Sequence, residues 1–304
     1  ENGDVIHLTK TEMYDAVLER ELPPTATRVQ LNHANRARLV GYEMQPSSLL
    51  PGETLTVTLY WQALQPIELD LLESVKLLDT GNSPVAEVDH TPPTRTKNWW
   101  PGEVVSDTVI LPVAENVSAP VVLRLDVGLL YLEKMLVLPV FDEAGSEVAR
   151  SIAQVKLLPP AWPDLEETER VSYVFDESLV LEVTQLEETT IIPGEALAID
   201  LYWASLTPID EDYAVFIHLL DEAGNLVGQG DGPPVNGRYP TSQWSTGEVI
   251  LDRHLVTVSK QVRPGRYTLV VGLYRGADGT RLLARSATGG ITDAVILGEL
   301  YVQQ

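Results

Sequence analysis

The chain has 304 residues, 44% of them hydrophobic, with a formal charge of −23 and no cysteine. That length suits two buried cores better than one. The charge argues against nucleic acid as a partner, and the missing thiol excludes cysteine nucleophiles, disulfides and thiolate metal sites.

Residues 1–35 read as a lead-in or linker, with a short helix expected over Thr11–Glu21 and stopped by Pro23 and Pro24. The polar start Glu1-Asn2-Gly3-Asp4 is unlike a signal peptide. No apolar run approaches the ~20 residues of a membrane-spanning helix, so no direct membrane insertion is expected. From Leu39 onward the pattern has period two, that of strands with one buried face. Leu55, Val57, Leu59 and Trp61 share one face, while Thr56, Thr58 and Tyr60 share the other. Asp79-Thr80-Gly81-Asn82 and Asp142-Glu143-Ala144-Gly145 carry hairpin chemistry, since Asp bonds its own backbone and Gly or Asn accepts positive φ. A first sandwich over 36–158 ends on a strand near Ala153–Leu158, and Pro159, Pro160 and Pro163 open a proline-rich, acidic connection over 159–170.

Residues 171–304 then repeat the pattern. Leu49-Leu50-Pro51-Gly52-Glu53 returns as Ile191-Ile192-Pro193-Gly194-Glu195, 142 residues on, and Trp61 returns as Trp203. Leu77-Leu78-Asp79 returns as Leu219-Leu220-Asp221, and Gly102-Glu103 as Gly247-Glu248. The expected fold is all-β: two tandem immunoglobulin-like antiparallel sandwiches arising from an internal duplication, each of about seven or eight strands.

Signatures of common catalytic classes are absent: no Gly-x-Ser-x-Gly elbow, no His-Glu-x-x-His, no phosphate loop and no dinucleotide-binding glycines. No catalytic residue, cofactor or metal ligand is assigned. No two histidines have ligand spacing; His218 stands where the first copy has Lys76, His254 opposite Val109, and His90 where the second copy has Gly232. Asp89 and Asp231 precede Pro-Pro steps and read as carboxylates capping a loop backbone. The best candidates for binding lie in two aromatic loops at matching positions. Trp99 and Trp100 in one, and Arg238, Tyr239 and Trp244 in the other, combine indole faces with planar donors, a mixture that suits a sugar. Their structural reading is a long connection pinned by a Trp at the sandwich end.

The segments Val215–Asp221, Gly230-Asp231-Gly232-Pro233-Pro234, Gly237–Ser242, Trp244, Gly247-Glu248-Val249 and Leu269–Tyr274 resemble a β-sandwich module on the extracytoplasmic side of bacterial multi-pass membrane proteins of the protein O-mannosyltransferase type. The first copy departs from it, with His90-Thr91 in place of a glycine and no Arg-Tyr-Pro-Thr-Ser segment. The resemblance implies location in the cell envelope and company with glycan-handling machinery. It carries over no catalytic residue, because transferase chemistry would belong to membrane segments outside this chain. The leading expectation is a non-catalytic accessory or interaction region with an envelope glycan or protein as partner. The alternatives are a carbohydrate-binding module using Trp99, Trp100, Asp231, Arg238, Tyr239 and Trp244, and a glycoside hydrolase using Asp231 or Glu248.

Overall fold

A computed structural model describes residues 22–164, 171–183 and 190–303. The helix expected over Thr11–Glu21 lies outside the described residues, as does 165–170 of the expected connection. The described residues are all-β, with helix confined to short 3₁₀ turns, and none of their helices is long and apolar enough to cross a membrane. They fall into two compact units, one reaching to Pro160 and one starting at Ala161.

The first unit comprises β1 (Thr27–His33), β2 (Ala37–Gln45), β3 (Ser48–Leu49), β4 (Thr54–Ala63), β5 (Leu72–Leu78), β6 (Pro84–His90), β7 (Val104–Pro112), β8 (Val121–Tyr131), β9 (Leu136–Val137), β10 (Val140–Phe141) and β11 (Ser151–Leu157). One sheet has the order β10-β1-β2-β4-β7 and the other β3-β11-β8-β5-β6, with β9 on β8. Their inner faces share one apolar core. Leu55, Val57, Leu59 and Trp61 of β4 meet Val75 and Leu77 of β5 and Leu123, Leu125 and Val127 of β8 in it, as the alternation predicts.

Pairing begins inside the segment expected as a lead-in. β1 pairs with both β2 and β10, and a two-residue turn joins it to β2 through Ala34 and Asn35, both at positive φ. The anchor is His33 at the end of β1. It is fully buried, and its ring lies edge-on to Trp61, 4.8 Å between centroids.

The second unit comprises β12 (Val171–Phe175), β13 (Leu179–Val183), β14 (Thr190–Ile191), β15 (Ala196–Ser205), β16 (Tyr213–Leu220), β17 (Leu226–Gln229), β18 (Val249–Val258), β19 (Gly265–Arg275), β20 (Ala284–Ser286), β21 (Ile291–Thr292) and β22 (Val295–Val302). The pairings of the first unit recur. A two-residue turn with Asp176 and Glu177 at positive φ joins β12 to β13; β15 pairs with β13 and β18; β14 runs parallel to β22 as β3 does to β11. The register repeats as well, since Lys76 faces Glu87 and His218 faces Gln229, each just before a bulge. Phe175 stands where the first unit has His33, edge-on to Trp203 at 5.7 Å.

One seam differs. Gly228 and Gln229 of β17 pair with Val258 and Thr257 of β18, which makes the second unit a single 11-stranded sheet. Glycine permits this approach: a Cβ on Gly228 would lie 2.9 Å from the Thr257 carbonyl, and one on Gly230 2.8 Å from that of Leu255. In the first unit the same register places of β6 hold Ala86 and Val88. Pro112 stands where β18 has Thr257 and offers no N–H. β6 and β7 accordingly remain unpaired ends of separate sheets, and side chains fill the gap between them.

Trp61 and Trp203 are wholly enclosed. Trp61→Ala and Trp203→Ala are each expected to destabilise their unit by about 3–5 kcal/mol, read by chemical denaturation. His33 makes the first unit acid-sensitive. Its ring nitrogens have no partner, and burial, helped by the Arg150 charge, lowers its pKa to about 3. The folded state thus keeps His33 neutral while the unfolded chain takes up a proton below about pH 6.5. Stability from this group is complete above that pH and falls as pH drops toward 3, by up to about 5 kcal/mol. His33→Phe, which copies Phe175, is expected to flatten that slope in melts run between pH 7 and pH 4.

Candidate functional site

Both aromatic loops are built on the same local plan. In the first, the Thr96 hydroxyl donates to the Leu69 carbonyl and accepts from the Leu71 N–H, drawing the loop onto the start of β5. Thr241 does the same with Glu211 and Tyr213. A 3₁₀ turn follows, and the next Trp turns inward: Trp99 Nε1 donates to the Thr94 carbonyl and Trp244 Nε1 to that of Tyr239. Trp99 and Trp244 are 3% and 4% exposed, and Tyr239 is fully buried with its hydroxyl donating to Glu248. The expectation of a stacking platform is corrected here, because three of its rings have no face to offer. Trp100 is 75% exposed and Arg238 half-buried.

The repeated glycine-glutamate turns are structural too. In Leu50-Pro51-Gly52-Glu53 the glycine has φ +88°, and the Glu53 carboxylate accepts the Leu50 N–H. This is a type II turn locked by its last residue. Glu103 closes on Trp100 and Glu248 on Ser245 in the same way.

Asp231 accepts the N–H of Ile217 within β16, not one of its own loop, and lies 3.3 Å from His218 Nε2. The more enclosed carboxylate is Asp252, on the inward phase of β18. It accepts Trp203 Nε1 at 3.2 Å, His254 Nε2 at 2.8 Å and the Val235 N–H at 2.8 Å. The last bond holds Val235 and Asn236, both in the left-handed region. His254 Nδ1 lies 2.9 Å from the Gly230 carbonyl. Burial opposes charge on His254, yet the bond to Asp252, the Asp252 charge, Gly230 and the Asp231 charge prevail and raise its pKa.

The matching carboxylate of the first unit is Asp107, on the inward phase of β7, and its surroundings differ. His90 Nε2 lies 2.6 Å from Asp107 Oδ2, and the Thr108 N–H takes Oδ1. Glu73, the β5 partner of His90, points into the same space, with Oε2 3.9 Å from His90 Nε2. It is wholly buried, and neither carboxylate oxygen nor Trp61 Nε1 has a hydrogen-bond partner. Burial first, then the Asp107 carboxylate, push the Glu73 pKa well above the usual range, with the Trp61 N–H pulling the other way. Among the described residues, Glu73, His90 and Asp107 are the one group of three whose ligand atoms converge closely enough to hold a metal ion.

Sequence reasoning passed over this cluster because it looked for short-range spacing. The signal was phase: Glu73 continues the inward run Leu71, Val75, Leu77, and Asp107 continues Val109 and Leu111. A carboxylate on an apolar phase is costly unless paired, and so marks a site.

No protein-family model matches the chain, and no curated protein does. Among solved structures, the crystal structure of red sea bream transglutaminase is similar at 11% identity with a TM-score of 0.23, over 99% of this chain and 34% of that one. The chain thus spans about a third of that protein's length.

The raised His254 pKa has a readable sign. Its stabilising contribution is complete below the unfolded value of about 6.5 and is lost as pH rises through the folded value. His254→Gln is expected to remove this loss, measured as the pH dependence of second-unit unfolding between pH 6 and pH 9.

Proposed function

We propose that the chain is a non-catalytic, extracytoplasmic region of a bacterial envelope protein, made of two immunoglobulin-like sandwiches that arose by duplication. It serves glycan-handling membrane machinery as an accessory or interaction part. The duplication is supported by the recurrence of pairings, bulge, parallel end strand and edge-on ring against the core Trp in both units. Company and location rest on the resemblance of the second unit to the extracytoplasmic modules of mannosyltransferase-type proteins.

The observation that carries the non-catalytic reading is the employment of the loop polar groups. Glu248 closes a turn and holds Tyr239, Asp231 is tied to the Ile217 N–H inside β16, and Asp252 anchors a strained loop and an indole. Groups so committed are poorly placed to move protons on a substrate.

The test uses the full-length protein in its bacterium. A membrane-impermeant amine crosslinker added to intact cells is expected to join this region to a membrane glycan-handling protein or to membrane segments of its own polypeptide. Labelling only after lysis would overturn the location. Glycan binding by the isolated chain that disappears in Trp100→Ala would replace the accessory role with carbohydrate recognition.

A further inference from the structure

We propose that Glu73, His90 and Asp107 bind one divalent transition-metal cation of the zinc type, which clamps the open seam of the first unit.

Three strands supply the donors. Glu73 and His90 are directly opposed on β5 and β6, at the end of one sheet, and Asp107 comes from β7, at the end of the other. One ligand atom from each lies within 4.8 Å of the others. A cation among them would tie the two sheets at the place where no backbone pairing does so.

Glu73 makes this more than a chance meeting of acids. Its side chain is 0% exposed and aimed into the cluster, and neither oxygen has a hydrogen bond of normal geometry, the Trp61 N–H acting on it without making one. A buried carboxylate in that position must hold a proton or meet a cation. His90 alone does not serve two carboxylates, since its Nε2 is taken at 2.6 Å by Asp107 and is 3.9 Å from Glu73.

The second unit is the internal comparison. Val215 stands where the first has Glu73, Gly232 stands where it has His90, and Asp252 is satisfied by three protein donors. The fold therefore does not require the acid pair; the first unit has it in addition.

The donor set selects the class of ion. One imidazole and two carboxylates give a neutral site with a divalent cation, and three protein ligands with one open place are a zinc-type arrangement. Calcium and magnesium prefer six or more oxygens, which this enclosed cluster lacks. Zinc bonds of about 2.0–2.2 Å place tetrahedral ligand atoms roughly 3.4 Å apart. Glu73 and His90 are already near that separation, and the His90–Asp107 hydrogen bond would open by less than ~1 Å. The His90 side chain is 28% exposed, which gives an ion a way in and a water the fourth place.

The test is calorimetric titration of the chelator-treated 304-residue chain, purified without a histidine tag, with Zn²⁺, and with Co²⁺ followed by visible absorption. One equivalent should bind, with Co²⁺ bands of tetrahedral intensity and a raised melting temperature. Glu73→Gln should weaken binding at least ~100-fold, the upper end of what losing even an outer-shell partner costs, and His90→Gln likewise, while His218→Gln should leave it unchanged. Glu73→Gln puts a neutral group of the same size where the metal-free parent holds a buried carboxylic acid, so its metal-free form should melt close to the parent, and a loss of binding in it is then not a loss of folding. Absence of binding, binding unchanged in Glu73→Gln, or tighter binding of Ca²⁺ than of Zn²⁺ would overturn the assignment.

Discussion

An acid on the inward face of the strand that borders the seam, β7 in one unit and β18 in the other, is the constraint on which the rest of each unit turns. A carboxylate out of water must be given donors, a cation or a proton. Asp252 receives an indole N–H, an imidazole and a backbone N–H, and those bonds also fix the Trp203 ring and the loop at Val235. Asp107 receives an imidazole from a different strand, and beside it Glu73 receives no bond of normal geometry. The same problem has thus been solved with a surplus of donors in one unit and with a deficit in the other.

The backbone explains why. Where β17 carries Gly228 and, just beyond it, Gly230, the strand lies against β18 and main-chain bonds close the sheet. Ala86 and Val88 take those places on β6, and two residues on His90 reaches Asp107. Side chains in place of two glycines, and Pro112 in place of the Thr257 N–H, put a side-chain seam with chemistry in it where the second unit has a main-chain contact. His33 is a parallel case, a polar ring where the other unit has a phenyl, tolerated because it packs on Trp61 in its neutral form.

Much of this was legible in the residues. The alternation through Leu55, Val57, Leu59 and Trp61 placed both tryptophans in cores, and the recurring Pro-Gly-Glu turns marked the repeat. The first hairpin was not legible, because Ala34-Asn35 carries none of the glycine that usually announces a two-residue turn. The aromatic loops misled for a related reason. Alternation stops where a strand stops, so nothing in the pattern shows that Thr96 and Thr241 reel their loops inward and take Trp99 and Trp244 with them. The site at Glu73 was hidden differently: its three members are far apart in sequence, and only strand register brings them together.

An unpaired strand edge is also a template on which another chain can add itself. Closure of β17 on β18 abolishes that hazard at the seam of the second unit. The first unit keeps both edges and guards them with chemistry instead: Pro84 at the head of β6, Pro112 at the tail of β7, and the outward carboxylates of Glu87 and Asp89 between. Pro112 and Glu87 touch no core and hold no loop, and their contribution is to solubility: they keep neighbouring copies, wherever the protein is crowded, from zipping onto the one seam that the fold leaves open.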